Sequence, residues 1–79
     1  MVVVVAEGDL QRRVGANLRR LRVEQGFSQE AFADHLGYHR TFIGGVERGE
    51  RNLTLRTIER LAALLEVDPV DLFAVTPPS

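Results

Sequence analysis

Between residues 10 and 25 the positions Val14, Leu18, Leu21 and Gln25 recur at intervals of four, three and four, with arginines on the other faces. That is the period of an amphipathic helix. Asp9 is placed to cap it and Gly26 to stop it. A second segment, about 29–36, opens after Ser28, a good N-cap, and turns Phe32, Ala33 and Leu36 inward. Its Glu30 lies in the first turn, where the helix dipole favours an acid. A third segment, about 40–47, holds Ile43 and Val46 three apart and ends before Gly49. A fourth, about 55–65, follows Thr54 and carries Leu55, Ile58, Leu61, Ala62 and Leu65 on one stripe. A short fifth, about 69–74, has Asp68 as cap, Pro69 at the first helical position, and Leu72 and Phe73 as its apolar face. No strand pattern follows residue 5. The pattern predicts an all-α domain of five short helices over residues 10–74, between an N-terminal arm (1–9) and a C-terminal tail (75–79).

A chain of 79 residues is one domain. Folding at this size buries only about 60% of the unfolded surface, so a partner subunit would add stability. With 44% hydrophobic and 27% charged residues the composition is that of a globule rather than a disordered tail. The chain has no cysteine, which excludes disulfides, thiolate metal sites and a cysteine nucleophile. The run Val2–Val5 is too short for a signal peptide or a membrane span, so the expected location is cytoplasmic, with no membrane partner. The run reads as a loose arm or an added edge strand.

The net charge of −1 hides an uneven distribution. Residues 10–60 carry all ten arginines against six acids, while both ends are acidic. A basic middle with acidic ends makes charge placement more telling than the total. Every base is arginine and none is lysine. Arginine suits forked recognition of phosphate or guanine, although a codon bias gives the same composition.

Segments two and three are joined by Gly37-Tyr38-His39. An eight-residue helix, a tight glycine turn and a second short helix is the spacing of a helix-turn-helix; the alternative is a plain helical hairpin. Gly37 suits a backbone with positive φ, and Ala33 suits a close helix crossing. Ile43 and Val46 anchor segment three, which leaves Arg40, Thr41, Gly44 and Gly45 facing outward. Two glycines within a helix cost roughly 2 kcal/mol of propensity relative to alanine. A close approach of DNA or of another backbone, or tight packing, would account for them.

The set Ser28-Gln29-Glu30, Leu36-Gly37, Ile43, Glu47-Arg48-Gly49, Asn52-Leu53-Thr54 and Asp71-Leu72-Phe73 resembles the phage repressor/Cro type of helix-turn-helix domain. The narrower run Arg40 to Arg48, followed by Arg51-Asn52-Leu53-Thr54, is similar to restriction–modification controller proteins and other small regulators. The resemblance implies a compact, lambda-repressor-like five-helix domain that binds operator DNA as a homodimer, with segment three in the major groove. It implies base contacts by Arg40, Thr41 and Arg51. It implies contacts to the DNA backbone by Gln29, Phe42 and Asn52; beside them, Tyr38 reads as a surface residue near that backbone, Arg48 as a solvated residue or a phosphate contact, and His39 as a further residue able to reach a phosphate. It pairs Arg22 with Glu47 as a structural ion pair. The surplus apolar residues Leu65, Val67, Val70, Leu72 and Phe73 are the expected dimer interface. RNA polymerase is a further expected partner.

His39 departs from the family pattern, which often has Ser or Asp there. It is expected to cap poorly but to reach a phosphate, and to do so better when protonated. His35 and His39 flank Gly37, which breaks the helix between them, so they are not a metal pair. No glycine-rich phosphate loop, Ser/His/Asp order or metal cluster is present, so neither an enzyme nor a cofactor is expected. Nothing points to a small-molecule effector. An antitoxin would need an arm longer than residues 1–9 or 75–79. A protein-interaction module of the same fold would not need Arg40, Thr41 and Arg51 together.

Overall fold

The computed structural model describes residues 6–75. They form four α-helices, α1 (Asp9–Glu24), α2 (Gln29–Leu36), α3 (Arg40–Glu47) and α4 (Leu55–Leu65), followed by a single 3-10 turn (Pro69–Phe73). No strand occurs among the described residues. The Val2–Val5 run and most of the expected tail lie outside them.

The expected fifth helix is therefore a correction. Its hydrogen bonds span three residues, from Asp71 N–H to the Asp68 carbonyl (2.9 Å) and from Ala74 N–H to the Asp71 carbonyl (3.4 Å). The Asp68 carboxylate caps the turn by accepting from Val70 N–H. Five residues are too few to repay the ordering of an α-helical nucleus, and a 3-10 turn is the usual result. Tertiary contact holds it instead. Leu72 is wholly buried, and the amide of Asn17, itself buried in α1, donates to the carbonyls of Leu72 (3.0 Å) and Ala74 (2.7 Å).

The inward positions of all the helices meet in one core. Leu18 of α1, Phe32 of α2, Ile43 of α3, Leu61 of α4 and Leu72 of the 3-10 turn are each fully buried. Ser28 and Thr54 cap α2 and α4 as expected, each accepting at 3.1 Å from the N–H three residues on. Asp9 does not cap α1. Gly8 takes that position with φ +92°, and Asp9 sits in the first turn. There its carboxylate accepts from Ala6 N–H (2.8 Å) and pairs with Arg12, which ties residues 6–8 to the helix. Leu55 is 75% exposed and drops out of the α4 stripe, and Gln25 is exposed as the C-cap of α1. The buried stripe starts at Ile58, and Leu55, the first helical residue after the Thr54 cap, stays outside it.

Two glycines let α1 meet α3 backbone to backbone. A Cβ on Gly15 would stand 2.3 Å from the Val46 carbonyl oxygen and 2.8 Å from that of Glu47. Gly49, at φ +74°, turns the chain away just past α3 and leaves room for Arg12.

Candidate nucleic-acid interface

The α2–α3 junction is short because its polar groups are satisfied locally. Gly37 adopts φ +78°, and Tyr38 N–H reaches back to the Ala33 carbonyl at 2.9 Å, a Schellman closure. His39 then caps α3: its Nδ1 accepts from Thr41 N–H at 3.0 Å. This corrects the expectation that His39 caps poorly. An imidazole nitrogen with an open lone pair serves as acceptor as a Ser oxygen would, and Nε2 is left pointing away from the cap. His35 has a separate fate, stacked on Phe27 with ring centroids 5.1 Å apart.

Ile43 and Val46 seat α3 in the core, so Arg40 and Thr41 stand exposed at its N-terminus. Gly44 and Gly45 do not face outward. Both are buried, under side chains of the same chain. A Cβ on Gly44 would lie 3.1 Å from Nη1 of Arg48 and 3.5 Å from Oε1 of Gln29. A Cβ on Gly45 would lie 3.1 Å from Nε and 3.2 Å from Cγ of Arg51.

Arg51 is exposed in the loop after α3, and its guanidinium carbon lies 5.3 Å from the centre of the Phe42 ring. Phe42 also stacks with Tyr38, centroids 4.8 Å apart and planes 22° apart. Tyr38, Phe42 and Arg51 thus form one group beside Arg40 and Thr41. Asn52 is exposed next to Arg51. Arg48 is exposed and pairs with Glu50 at 2.9 Å, an ion pair that water screens and that holds Arg48 only weakly.

Beneath this surface Arg22 and Glu47 form a forked ion pair, with Nε to Oε2 at 2.7 Å and Nη2 to Oε1 at 3.1 Å. Gln29 half-buries its side chain and donates from Nε2 to Glu47 Oε1 at 3.1 Å. One of its two amide hydrogens is thereby turned inward.

The apolar C-terminal residues do not all reach the surface. Leu72 and Leu65 are buried in the protomer's own core, at 0% and 7% exposure, and so present almost nothing to a partner. Val67 and Phe73 are half-buried, and Val70 is 71% exposed. Leu64 and Leu55, neither expected in this role, are exposed as well.

Reading the sequence alone missed the Arg51–Phe42 stack and the seat at Gly45. The six-residue separation of Gly45 and Arg51 spans a turn, so helical periodicity gives no sign of their contact.

A family model described as a helix-turn-helix domain matches residues 13–74, and the chain belongs to this family. It is 41% identical over 69 residues to the uncharacterised helix-turn-helix-type transcriptional regulator y4dJ of Sinorhizobium fredii, covering 87% of each chain. Among solved structures, it is similar to the restriction–modification controller protein C.AhdI from Aeromonas hydrophila. That match has TM-score 0.70 and 44% identity, and covers 80% of this chain and 96% of the other. It is also similar to the controller protein C.Esp1396I, whose tetramer was solved in complex with its natural 35 base-pair operator. Here the TM-score is 0.68 with 38% identity, covering 81% of this chain and 84% of the other. The relatives are transcriptional regulators and controller proteins, and no described helix is long and apolar enough to cross a membrane.

Proposed function

We propose that this chain is a transcriptional regulator of the controller type. It binds a pseudo-palindromic operator as a homodimer and lays α3 in the major groove. The observation that carries this reading is the placing of Arg40 and Thr41, both exposed, at the capped N-terminus of a helix whose other face is locked in the core. An arginine there can fork onto guanine O6 and N7, which is worth about 1–3 kcal/mol of discrimination against a wrong base. Thr41 can set its methyl against thymine. Arg51 supplies a second fork from beyond the helix.

Gln29, Tyr38, His39, Phe42, Arg48 and Asn52 surround these residues and would meet the sugar–phosphate backbone, which fixes register rather than sequence. The exposed Nε2 edge of His39 faces away from the cap and would meet a phosphate. Residues 10–74 are the DNA-binding unit. The dimer forms through Val70, with Val67, Phe73 and Leu64 beside it, while Leu65 and Leu72 support that surface from within. Two-fold symmetry then sets half-site centres roughly 34 Å apart. A contact with RNA polymerase, for a regulator seated beside a promoter, rests on the resemblance to the controller proteins, and a cytoplasmic location follows from the DNA partner.

The test is fluorescence anisotropy on the duplex upstream of the protein's own gene and on a scrambled duplex, at two salt concentrations. Tight binding to the first alone, steeply weakened by salt and lost in Arg40→Ala, is the expected result. Equal, weak binding to both duplexes, unchanged in Arg40→Ala, overturns the reading.

A further inference from the structure

We propose that Gly45 is a specificity-determining positioning residue: it is the seat on which Arg51 is held ready for the base it reads. The inference rests on the reading of Arg51 as a base contact. Arginine is among the side chains with most rotamer freedom to lose, and a contact made from a loop must repay that loss on binding. Here the loss is met before DNA arrives. The stem of Arg51 lies flat across the backbone of α3 at Gly45, and its guanidinium lies over the Phe42 ring. Phe42 is itself stacked on Tyr38.

A methyl group at position 45 would stand 3.1–3.2 Å from Nε and Cγ of Arg51, tighter than most packed contacts, so the stem must shift by a few tenths of an ångström and its seat on the helix is loosened. The three atoms nearest that methyl, Nε, Cγ and Cδ, all belong to Arg51, so Arg51 is the first group to shift. The glycine therefore keeps a poor helix former inside α3 for the sake of a side chain six residues on.

The experiment uses the full chain and the duplex that the parent protein itself selects from a randomised pool, with a scrambled duplex as reference. Selectivity is the ratio of the two affinities. Arg51→Ala and Gly45→Ala are each expected to lower selectivity about tenfold, the scale of one lost base fork. The double variant is expected to be no worse than Arg51→Ala alone. Gly45→Ala should bind the scrambled duplex within about twofold of the parent, and its melting temperature should not fall. In the free protein, the side-chain proton resonances of Arg51 should lose the ring-current shift from Phe42.

Gly45→Ala with the parent's selectivity, beside an Arg51→Ala that has lost it, overturns the inference and leaves the reading of Arg51 standing. So does a double variant in which the two losses multiply. A Gly45→Ala chain that fails to fold overturns it too, since the glycine would then serve the core. Full selectivity in Arg51→Ala removes the reading of Arg51, and the inference with it.

Discussion

Arg22 and Glu47 grip each other through two hydrogen bonds, 2.7 and 3.1 Å long, and join the C-terminal end of α1 to that of α3. The pair is well shielded, with side-chain exposures of 14% and 4%. Its remaining polar capacity is used nearby: Arg22 donates from Nη1 to the Phe27 carbonyl at 2.9 Å, and Glu47 accepts from Gln29. A buried pair so satisfied fixes geometry more than it adds stability, because desolvation offsets much of the attraction. What it fixes is the tilt of the helix that presents Arg40 and Thr41.

Removing one partner should therefore be costly. Glu47→Ala leaves the Arg22 guanidinium shielded from water without its carboxylate, and should lose about 3–5 kcal/mol in urea unfolding. That is a large part of the stability of a domain this small. Arg22→Met combined with Glu47→Leu should recover most of the loss, since neither charge is then stranded. A double variant as unstable as Glu47→Ala would mean that the apolar replacement does not fit the site.

Gly15→Ala should also be damaging, though less so, and for a steric reason. Alanine gains helix propensity of about 1 kcal/mol over glycine. Its methyl would lie 2.3 Å from the Val46 carbonyl oxygen, and neither backbone can yield alone. Forced separation of α1 and α3 should cost about 1–3 kcal/mol net, measured as a lower urea midpoint, with weaker DNA binding as α3 shifts. Gly45→Ala, facing only a side chain, should leave the midpoint unchanged or raised.

These two glycines mark how far the sequence was legible. Four helices, the Ser28 and Thr54 caps, the Gly37 turn and the buried faces around Phe32, Ile43 and Leu61 all follow from period and cap chemistry, which act over a few residues. Gly15 gave no such signal: a glycine inside a helix reads as a small loss of propensity until the opposing backbone is in place. Asn17 reads equally as a surface residue, because the carbonyls it satisfies lie 55 and 57 residues on. Asp9 was misplaced by one position, since Gly8 in the left-handed region takes the cap. In the site, the exposure of Arg40 and Thr41 follows from Ile43 and Val46. The seating of Arg51 depends on where the chain returns after Gly49, and local pattern does not encode that.

Asp9 gives a pH dependence. The Ala6 N–H and then the Arg12 guanidinium hold its carboxyl below the ordinary value of 3.8. A carboxyl with a lowered folded-state pKa stabilises the fold above its unfolded pKa. That contribution is lost as pH falls through the folded value. Asp9→Asn should thus be less stable than the parent by a constant margin from neutral pH down to about pH 5, and the margin should shrink below about pH 4. Urea unfolding at several pH values measures it. A margin that does not change in acid would show that the carboxylate's charge contributes nothing.

Substitution can separate the cap that His39 forms from the phosphate contact proposed for it. Its Nδ1 caps α3, and the loss of a capping acceptor costs about 1 kcal/mol. For a domain of this size that lowers the melting temperature by roughly 4–8 °C, so His39→Ala should melt that much earlier. Asn carries a capping oxygen of similar reach, and His39→Asn should melt near the parent. Asn cannot, however, cap with its oxygen and hold a donor where the exposed Nε2 edge of the imidazole stands. If that edge meets a phosphate, His39→Asn should bind operator and scrambled duplex more weakly by a similar factor, because a phosphate contact carries no sequence information. Parent-like affinity in His39→Asn would confine the residue to capping. A loss on the operator alone would instead place the imidazole against a base.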